Sequence, residues 1–355
     1  NTNLDISKAL LSASKVPNKK TVNWLLNQGA NINVKDNQAY GVTPLIIASH
    51  QGNLEIFKLL LKNGADIKVK DDNGNTALIH ALDRNNLEIV RILIDHQQDQ
   101  FFCSSTDNLL KASFYGKTTR VEELIDSGAD LNIQNYYGIT PLICAVLNDK
   151  KEILKLLIQA GADVSVRENG SNTAIMFAED QEAVELLIKT GADINSINKH
   201  DETVLFKAVT SDNYPKVKML LNSGAHVNLG KSGLIDATDK TIIQELISAG
   251  ADVNYTDKND KSVLMKAATF GSYDLAEILI RNGANVNAKS PYGLTPLHFA
   301  IANSNLKIVK LLLNNSANPL SSDNDGLDCL GYATWKNNIE ILKYLITQTN
   351  NHFFK

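Results

Sequence analysis

Cysteine is scarce in this chain. Its 355 residues hold three, Cys103, Cys144 and Cys329, far apart and with no C-x-x-C pair. That excludes a disulfide framework, and the thiols read as free groups of a reducing, cytoplasmic compartment. No apolar run is long enough to cross a bilayer, and no secretory pattern opens the chain. The first residue is Asn1 rather than Met, so the chain reads as a processed or excised piece of a longer product. Neither sign of charge dominates. Against 39 Asp and Glu stand 35 Lys and Arg, a net charge of −4, which excludes the global electrostatic footprint of a nucleic-acid or acidic-membrane binder. Motifs of chemistry are missing too: there is no Walker-type loop, GxSxG elbow or HExxH pair, and the seven histidines are scattered. Neither an enzyme nor a cofactor is expected.

What is present is repetition. TPLHFA at 295–300 returns as TPLIIA (43–48) and TPLICA (140–145), and more weakly as TALIHA (76–81), TAIMFA (173–178) and TVLFKA (203–208). A second phrase follows at a fixed distance, as in LLLKNGADI (59–67), LLIQAGADV (156–164) and LISAGADVN (246–254). The alanine closing the first phrase marks the register at Ala13, Ala48, Ala81, Ala112, Ala145, Ala178, Ala208, Ala237, Ala267, Ala300 and Ala333, at intervals of 29 to 35 residues. Periods of this size define a solenoid of supersecondary units, whose core grows in one dimension and so escapes the size limit of a single globular core.

Each residue type has a physical task. Thr295 caps a helix start, and Pro296 takes the first helical position, where a missing N–H costs nothing. Leu297 and Ala300 share one helix face, and the small Ala lets a neighbouring helix come close. The run IVKLLL (308–313) is apolar almost all round, as a helix buried between layers requires. A glycine then ends that helix in a left-handed conformation, as at Gly29, Gly64, Gly128, Gly161, Gly191, Gly224, Gly250 and Gly283. The polar tail ANVNAKSPYG (284–293) fits a turn-rich finger leading to the next helix. Asp66, Asp130, Asp163, Asp193 and Asp252 hold the same slot in each unit and read as turn formers rather than as an acidic site.

These units resemble ankyrin repeats, whose pattern has this TPLHxA opening and LLLxxGADVN close, over about eleven units and nearly the whole chain. The resemblance implies an all-α repeat solenoid of stacked helix-turn-helix units with β-turn fingers, monomeric, binding another protein or peptide in a concave groove lined by fingers and first helices. It implies that His298 braces a finger by hydrogen bonds. It also implies that Asn132, Asn195, Asn254 and Asn287 are either turn residues or targets of asparaginyl hydroxylases.

Some copies depart from the pattern. The unit ending near Gln97 lacks Gly-Ala-Asp, and directly after it 109–132 aligns without gaps to 10–33, the first unit. Two readings stand: an eroded finger in a continuous stack, or a break between an N-terminal sub-array (1–98) and a C-terminal one (107–355), joined by an irregular connector (99–106). The units of Ala178 and Ala237 have 13 residues from alanine to terminal glycine where intact units have 16. The last unit replaces Thr-Pro with Asp328-Cys329, as suits a terminal cap.

Residues that the repeat does not need are the binding candidates. They are Tyr40, His50, Phe114, Tyr115, Tyr136, Tyr137, Ile139, Leu147, Lys199, Lys258, Lys261, Phe270, Tyr292 and Trp335. Phe114, Tyr115, Tyr136, Tyr137, Ile139 and Leu147 are expected to form an exposed aromatic anchor, or else to be core that covers the broken finger together with Phe101 and Phe102. Lys199, Lys207, Lys231, Lys258, Lys261 and Lys266 are expected to form a basic strip. The functional expectation is the recruiting part of a host-directed effector or adaptor, acting in the cytoplasm or a host cytosol. Its alternatives are a scaffold for several partners and the targeting part of an enzyme whose catalytic part lies outside the chain.

Overall fold

The computed structural model describes residues 2–38, 40–84, 86–96 and 109–353. The expected connector at 99–106, with Phe101, Phe102 and Cys103, lies outside the described residues. The chain forms two compact units, Asn1–Asp193 and Ile194–Lys355. Each is built of helix pairs, and in the pairs after the opening one (Thr2–Ser14 and Lys19–Asn27) a short first helix is followed by a longer second one. The described residues on both sides of the expected connector belong to the first compact unit.

Thr-Pro starts the first helices as the sequence implies. In Pro44–His50 the Thr43 hydroxyl accepts from the Ile46 N–H at 3.3 Å, and in Pro141–Leu147 Thr140 does the same for Ile143 at 3.2 Å. Asparagine caps several second helices, Asn53 for Leu54–Lys62 and Asn213 for Tyr214–Asn222. The closing glycines all have positive φ, from +79° at Gly128 to +96° at Gly161, and a Cβ there would meet nothing within 4 Å. Handedness rather than space therefore selects glycine. In the unit of Ala300, Ser316 takes that slot at φ 69°.

The two helices of a pair are buried differently, which corrects one expectation. The first helix is enclosed: in Pro44–His50 every residue but the last is buried. The second helix buries a stripe alone, Ile308, Val309 and Leu312 in Leu306–Asn314. Its apolar appearance in sequence overstates its burial, because its far side meets water while the first helix is packed by neighbours on both sides. The register alanines Ala48, Ala81, Ala145, Ala208, Ala300 and Ala333 are wholly buried. Consecutive first helices, such as Val263–Phe270 and Pro296–Ala302, approach one another more closely than consecutive second helices do.

Adjacent units are also stitched through the finger bases. The Asn254 amide oxygen accepts from the Asn285 N–H at 2.7 Å, and its amide N–H donates to the Gly283 carbonyl at 3.4 Å. Asn195, Asn228 and Asn287 make the equivalent bonds to His226, Asp252 and Asn318, at 2.8 Å each. In the first compact unit Asn33 and Asn132 do likewise for Asp66 and Asp163. The aspartates form local turns, Asp252 accepting from the Asn254 N–H at 2.9 Å and Asp163 from Ser165 at 2.8 Å. Fingers close on single bridges, Asp36 with Val42 and Thr256 with Ser262.

Two contacts in the first compact unit skip a repeat. Lys70 Nζ donates to the Tyr136 hydroxyl at 3.4 Å, and Arg91 Nε donates to the Asn148 side-chain oxygen at 3.0 Å. In a regular stack each unit touches only its neighbours.

The stitch gives a prediction. Asn254→Ala removes two hydrogen bonds at an exposed unit junction and is expected to lower unfolding stability by about 1–2 kcal/mol, measured by urea unfolding. Asn63→Ala, whose side-chain amide donates to the Leu59 carbonyl of its own unit, is expected to cost less.

Candidate functional site

Exposed aromatics stand at the finger tips. Tyr40 is 73 % exposed in the left-handed region at φ 54°, and Tyr136 and Tyr292 are 65 % and 73 % exposed. The backbone holds these tips. The Tyr40 carbonyl accepts from the Asp72 N–H at 2.9 Å, and the Tyr292 carbonyl accepts from the Asn324 N–H at 3.0 Å. Their rings are therefore offered by a fixed main chain. The Tyr136 ring stands edge-to-face on Tyr137, centroids 5.3 Å apart.

Four of the residues expected in an exposed aromatic anchor are core: Phe114, Tyr137, Ile139 and Leu147 are between 0 and 4 % exposed. Tyr115 is half-buried, its ring edge-to-face on Phe114 at 5.1 Å. The cause is local. The helix Leu87–His96, from an earlier unit, reaches the end of Pro141–Leu147 through the Arg91–Asn148 bond, and Leu87 lines a small cavity there with Ala145 and Val146. A position that faces solvent elsewhere, as His50 and Trp335 do, is covered at Phe114 and Leu147.

The other candidates lie at the surface. His50 is exposed, hydrogen-bonded to the Arg84 guanidinium at 3.0 Å, with its ring 5.6 Å from that of His80. His80 is half-buried and bonds the Asp71 carboxylate at 2.8 Å. Trp335 is 68 % exposed with the Lys336 ammonium 4.4 Å from its ring, and Phe270 is 76 % exposed. Lys199 and Lys258 are exposed, whereas Lys261 is half-buried with its ammonium 5.4 Å from the Phe299 ring.

The basic strip is neutralised in part. Lys231 pairs with Glu202 at 3.2 Å, and Lys266 with Asp236 at 2.8 Å. Burial alone would push the Glu202 carboxyl up, but Asn198 and the ammoniums of Lys231 and Lys207 override it and hold the group below its ordinary value. Lys199, Lys258 and Lys261 remain of the six.

His298 is 1 % exposed. Its Nδ1 accepts from the Thr295 N–H at 3.1 Å, so it closes the helix start, and its ring stands 5.0 Å from that of Tyr332 in the next unit. Burial holds the imidazole below its ordinary value, against the opposing pull of Asp323 and a hydrogen bond to the Leu327 backbone. Cys329 lies beside it, Sγ 3.7 Å from Nε2, and its own burial pushes the thiol up to about 12. Cys144 is fully buried and likewise raised. Neither is an activated nucleophile.

Sequence reading missed a cleft beside the shortened unit of Ala237. That unit's first helix is reduced to a single tight turn, Gly233–Ile235, and its second helix is Lys240–Ser248. Gly233 permits the turn to lie against the preceding unit, since a Cβ there would stand 3.1 Å from Val209 Cγ2. The missing helical turn leaves the next unit uncovered at the end of Val263–Phe270 and the start of Tyr273–Arg281. A cleft of about 1040 Å³ opens there. The other shortened unit, with the four-residue helix Ala174–Phe177, borders a cavity of about 140 Å³. The signal in the sequence was the short alanine-to-glycine spacing.

Profiles described as ankyrin repeats (3 copies) match residues 10–107, 164–231, 234–323 and 289–353, and one described as ankyrin repeats (many copies) matches 109–158. The chain belongs to the ankyrin-repeat family. It is similar to human transient receptor potential cation channel subfamily A member 1, at 28% identity over 273 residues, 69% of this chain and 24% of that protein. A potassium channel of Arabidopsis thaliana is 28% identical over 160 residues, 45% of this chain and 20% of the channel. A putative ankyrin repeat protein of fowlpox virus is 33% identical over 168 residues, 47% of this chain and 40% of that protein. The chain thus spans well under half the length of these relatives. A crystal structure of the human ASB11 ankyrin repeat domain has a TM-score of 0.45 and 21% identity, covering 68% of this chain and 98% of that one. Ankyrin repeats generally serve as protein-binding modules and typically carry no catalysis. No described helix is long and apolar enough to cross a membrane.

Two outcomes follow. Leu147→Ala empties a fully buried site and is expected to cost about 2–5 kcal/mol of stability, whereas Tyr136→Ala, at an exposed tip, is expected to leave thermal unfolding within about 2 °C of the parent. The second concerns His298. Its pKa in the folded state lies below the unfolded value, so its contribution is fully present above about pH 6.5 and is lost as pH falls from there toward the folded value. Urea unfolding at pH 7.5, 6.0 and 5.0 is expected to show a decline in stability that is shallower in His298→Gln.

Proposed function

We propose that this chain recruits a partner protein through its finger tips and first helices, as the binding part of an adaptor or host-directed effector. The observation that carries the reading is the set of exposed tyrosines at Tyr40, Tyr136 and Tyr292, whose carbonyls accept hydrogen bonds from the Asp72 N–H, the Asn169 side-chain amide and the Asn324 N–H. Large aromatics held rigidly in water lose little entropy on binding and are frequent interface hot spots. Exposed His50 in the first compact unit, and exposed Lys199, Lys258 and Trp335 in the second, add to the candidate surface of each. Resemblance to a fowlpox virus ankyrin protein supports a host-directed role, and the unpaired thiols of Cys144 and Cys329 support a cytoplasmic setting. A break of the stack at 97–108 belongs to the same reading, supported by the two contacts that skip a repeat.

The test is affinity capture with the purified chain, quantified for each protein recovered. Tyr40→Ala with Tyr136→Ala, and separately Tyr292→Ala with Lys258→Glu, is expected to lower the affinity of one dominant partner at least tenfold, with thermal unfolding unchanged. Several non-competing partners, each lost with a different pair, would instead support the scaffold reading. Capture indifferent to both pairs overturns binding through the finger tips.

A further inference from the structure

The cleft beside the shortened unit lies away from the finger tips, and its lining is specific. Its walls come from three consecutive units. Lys240 lies on the first second-helix, Tyr273 on the next, and Lys307, Lys310, Leu311 and Asn314 on the third. In Leu306–Asn314 these four are spaced i, i+3, i+4 and i+7, so one continuous helix face borders the cleft. Phe270, 76 % exposed, and Tyr273, 38 % exposed, stand where the missing turn would have covered them.

The charge is one-sided. Four lysines line the cleft, Lys240, Lys266, Lys307 and Lys310, against Asp236 and Asp274. Lys266 and Asp236 neutralise each other at 2.8 Å, and the Lys310 ammonium lies 5.4 Å from the Tyr344 ring. Among the described residues, neither Lys240 nor Lys307 has an ion-pair partner. The cleft is thus positive on a chain whose net charge is −4. Its apolar walls are unsuited to a nucleic-acid backbone, which needs a dense row of cations and no apolar floor. A groove with an apolar floor and cationic rim, running along helices, matches a segment that presents apolar side chains on one face and carboxylates beside them.

We propose that this cleft is a second docking site, which takes an acidic amphipathic peptide segment of a partner protein. An aromatic or leucine side chain of the segment packs against Phe270, Tyr273 and Leu311, and its carboxylates pair with Lys240, Lys307 and Lys310. The deletion in the unit of Ala237 is then the origin of the site. It removes one helical turn from the ridge and leaves the rest of the stack in register.

A display library of random 12-residue peptides, selected on the full chain, tests this directly. The expected binders are rich in Asp and Glu, contain aromatic or leucine residues, and weaken at least tenfold with Lys240→Glu plus Lys307→Glu. They are expected to weaken similarly with Phe270→Ala, to weaken with rising salt, and to be indifferent to Tyr292→Ala with Lys258→Glu. Circular dichroism of each variant establishes that it is folded. Selection of neutral or basic peptides, or of acidic ones insensitive to the cleft substitutions, overturns the proposal. So does a concentration-dependent dimer of the chain that Lys240→Glu plus Lys307→Glu dissociates, which would make a second copy the occupant. Loss of binding with the Tyr292 and Lys258 pair alone would assign the peptide to the finger tips instead.

Discussion

The close approach of consecutive first helices at the register alanine is the contact on which the other features rest. A first helix such as Pro141–Leu147 buries every one of its residues, so it has no face left for water and no stability apart from its neighbours. At Ala48, Ala145, Ala208 and Ala300 the methyl group is wholly enclosed, and its small size lets the neighbouring helices come close. With that spacing set, the second helices need bury only a stripe, and the finger bases come within hydrogen-bonding reach. The asparagine stitch from Asn195 through Asn228 and Asn254 to Asn287 follows from the spacing and reinforces it. These amides are engaged on both their acceptor and donor sides.

The shortened unit of Ala237 shows which parts of a repeat are indispensable. Its first helix is a single turn, yet Asn228 still reaches Asp252 and Ile242, Ile243 and Leu246 are still buried. What is lost is on the ridge, where the end of one helix normally covers the start of the next. Losing three residues in a compact domain would usually be a core defect, whereas in a solenoid it becomes a local change of surface. The same deletion at Ala178 leaves a smaller volume, bordered on one side by Leu87 from an earlier unit. Neighbouring elements therefore decide whether a missing turn becomes a cleft or is filled.

Sequence alone made the architecture legible because each signal is local. Thr-Pro sets a helix start, glycine at positive φ ends a helix, and an aspartate closes a turn two residues on, all within one unit. The finger-tip candidates Tyr40, Tyr136 and Tyr292 were legible because turn residues tend to meet water, but Tyr137, which like Tyr40 and Tyr292 precedes a finger glycine, is buried. His298 was readable too, since its partner Thr295 lies three positions before it.

The misread residues depended on parts of the chain remote in sequence. Phe114 and Leu147 occupy a slot that is exposed at His50 and Trp335 yet is interior here, in a region that the helix Leu87–His96 reaches through the Arg91–Asn148 bond. Two lysines of the strip were misjudged likewise, because Glu202 and Asp236 reach across from neighbouring units to pair with Lys231 and Lys266. The sequence by itself determined the repeat, its register, the helix caps and the turn chemistry, which rest on interactions between residues a few positions apart. Tertiary structure alone decided which variable positions meet water, which charges are neutralised, and that a three-residue deletion opens a cleft. Each of those is a property of distances between units, and no single unit encodes them.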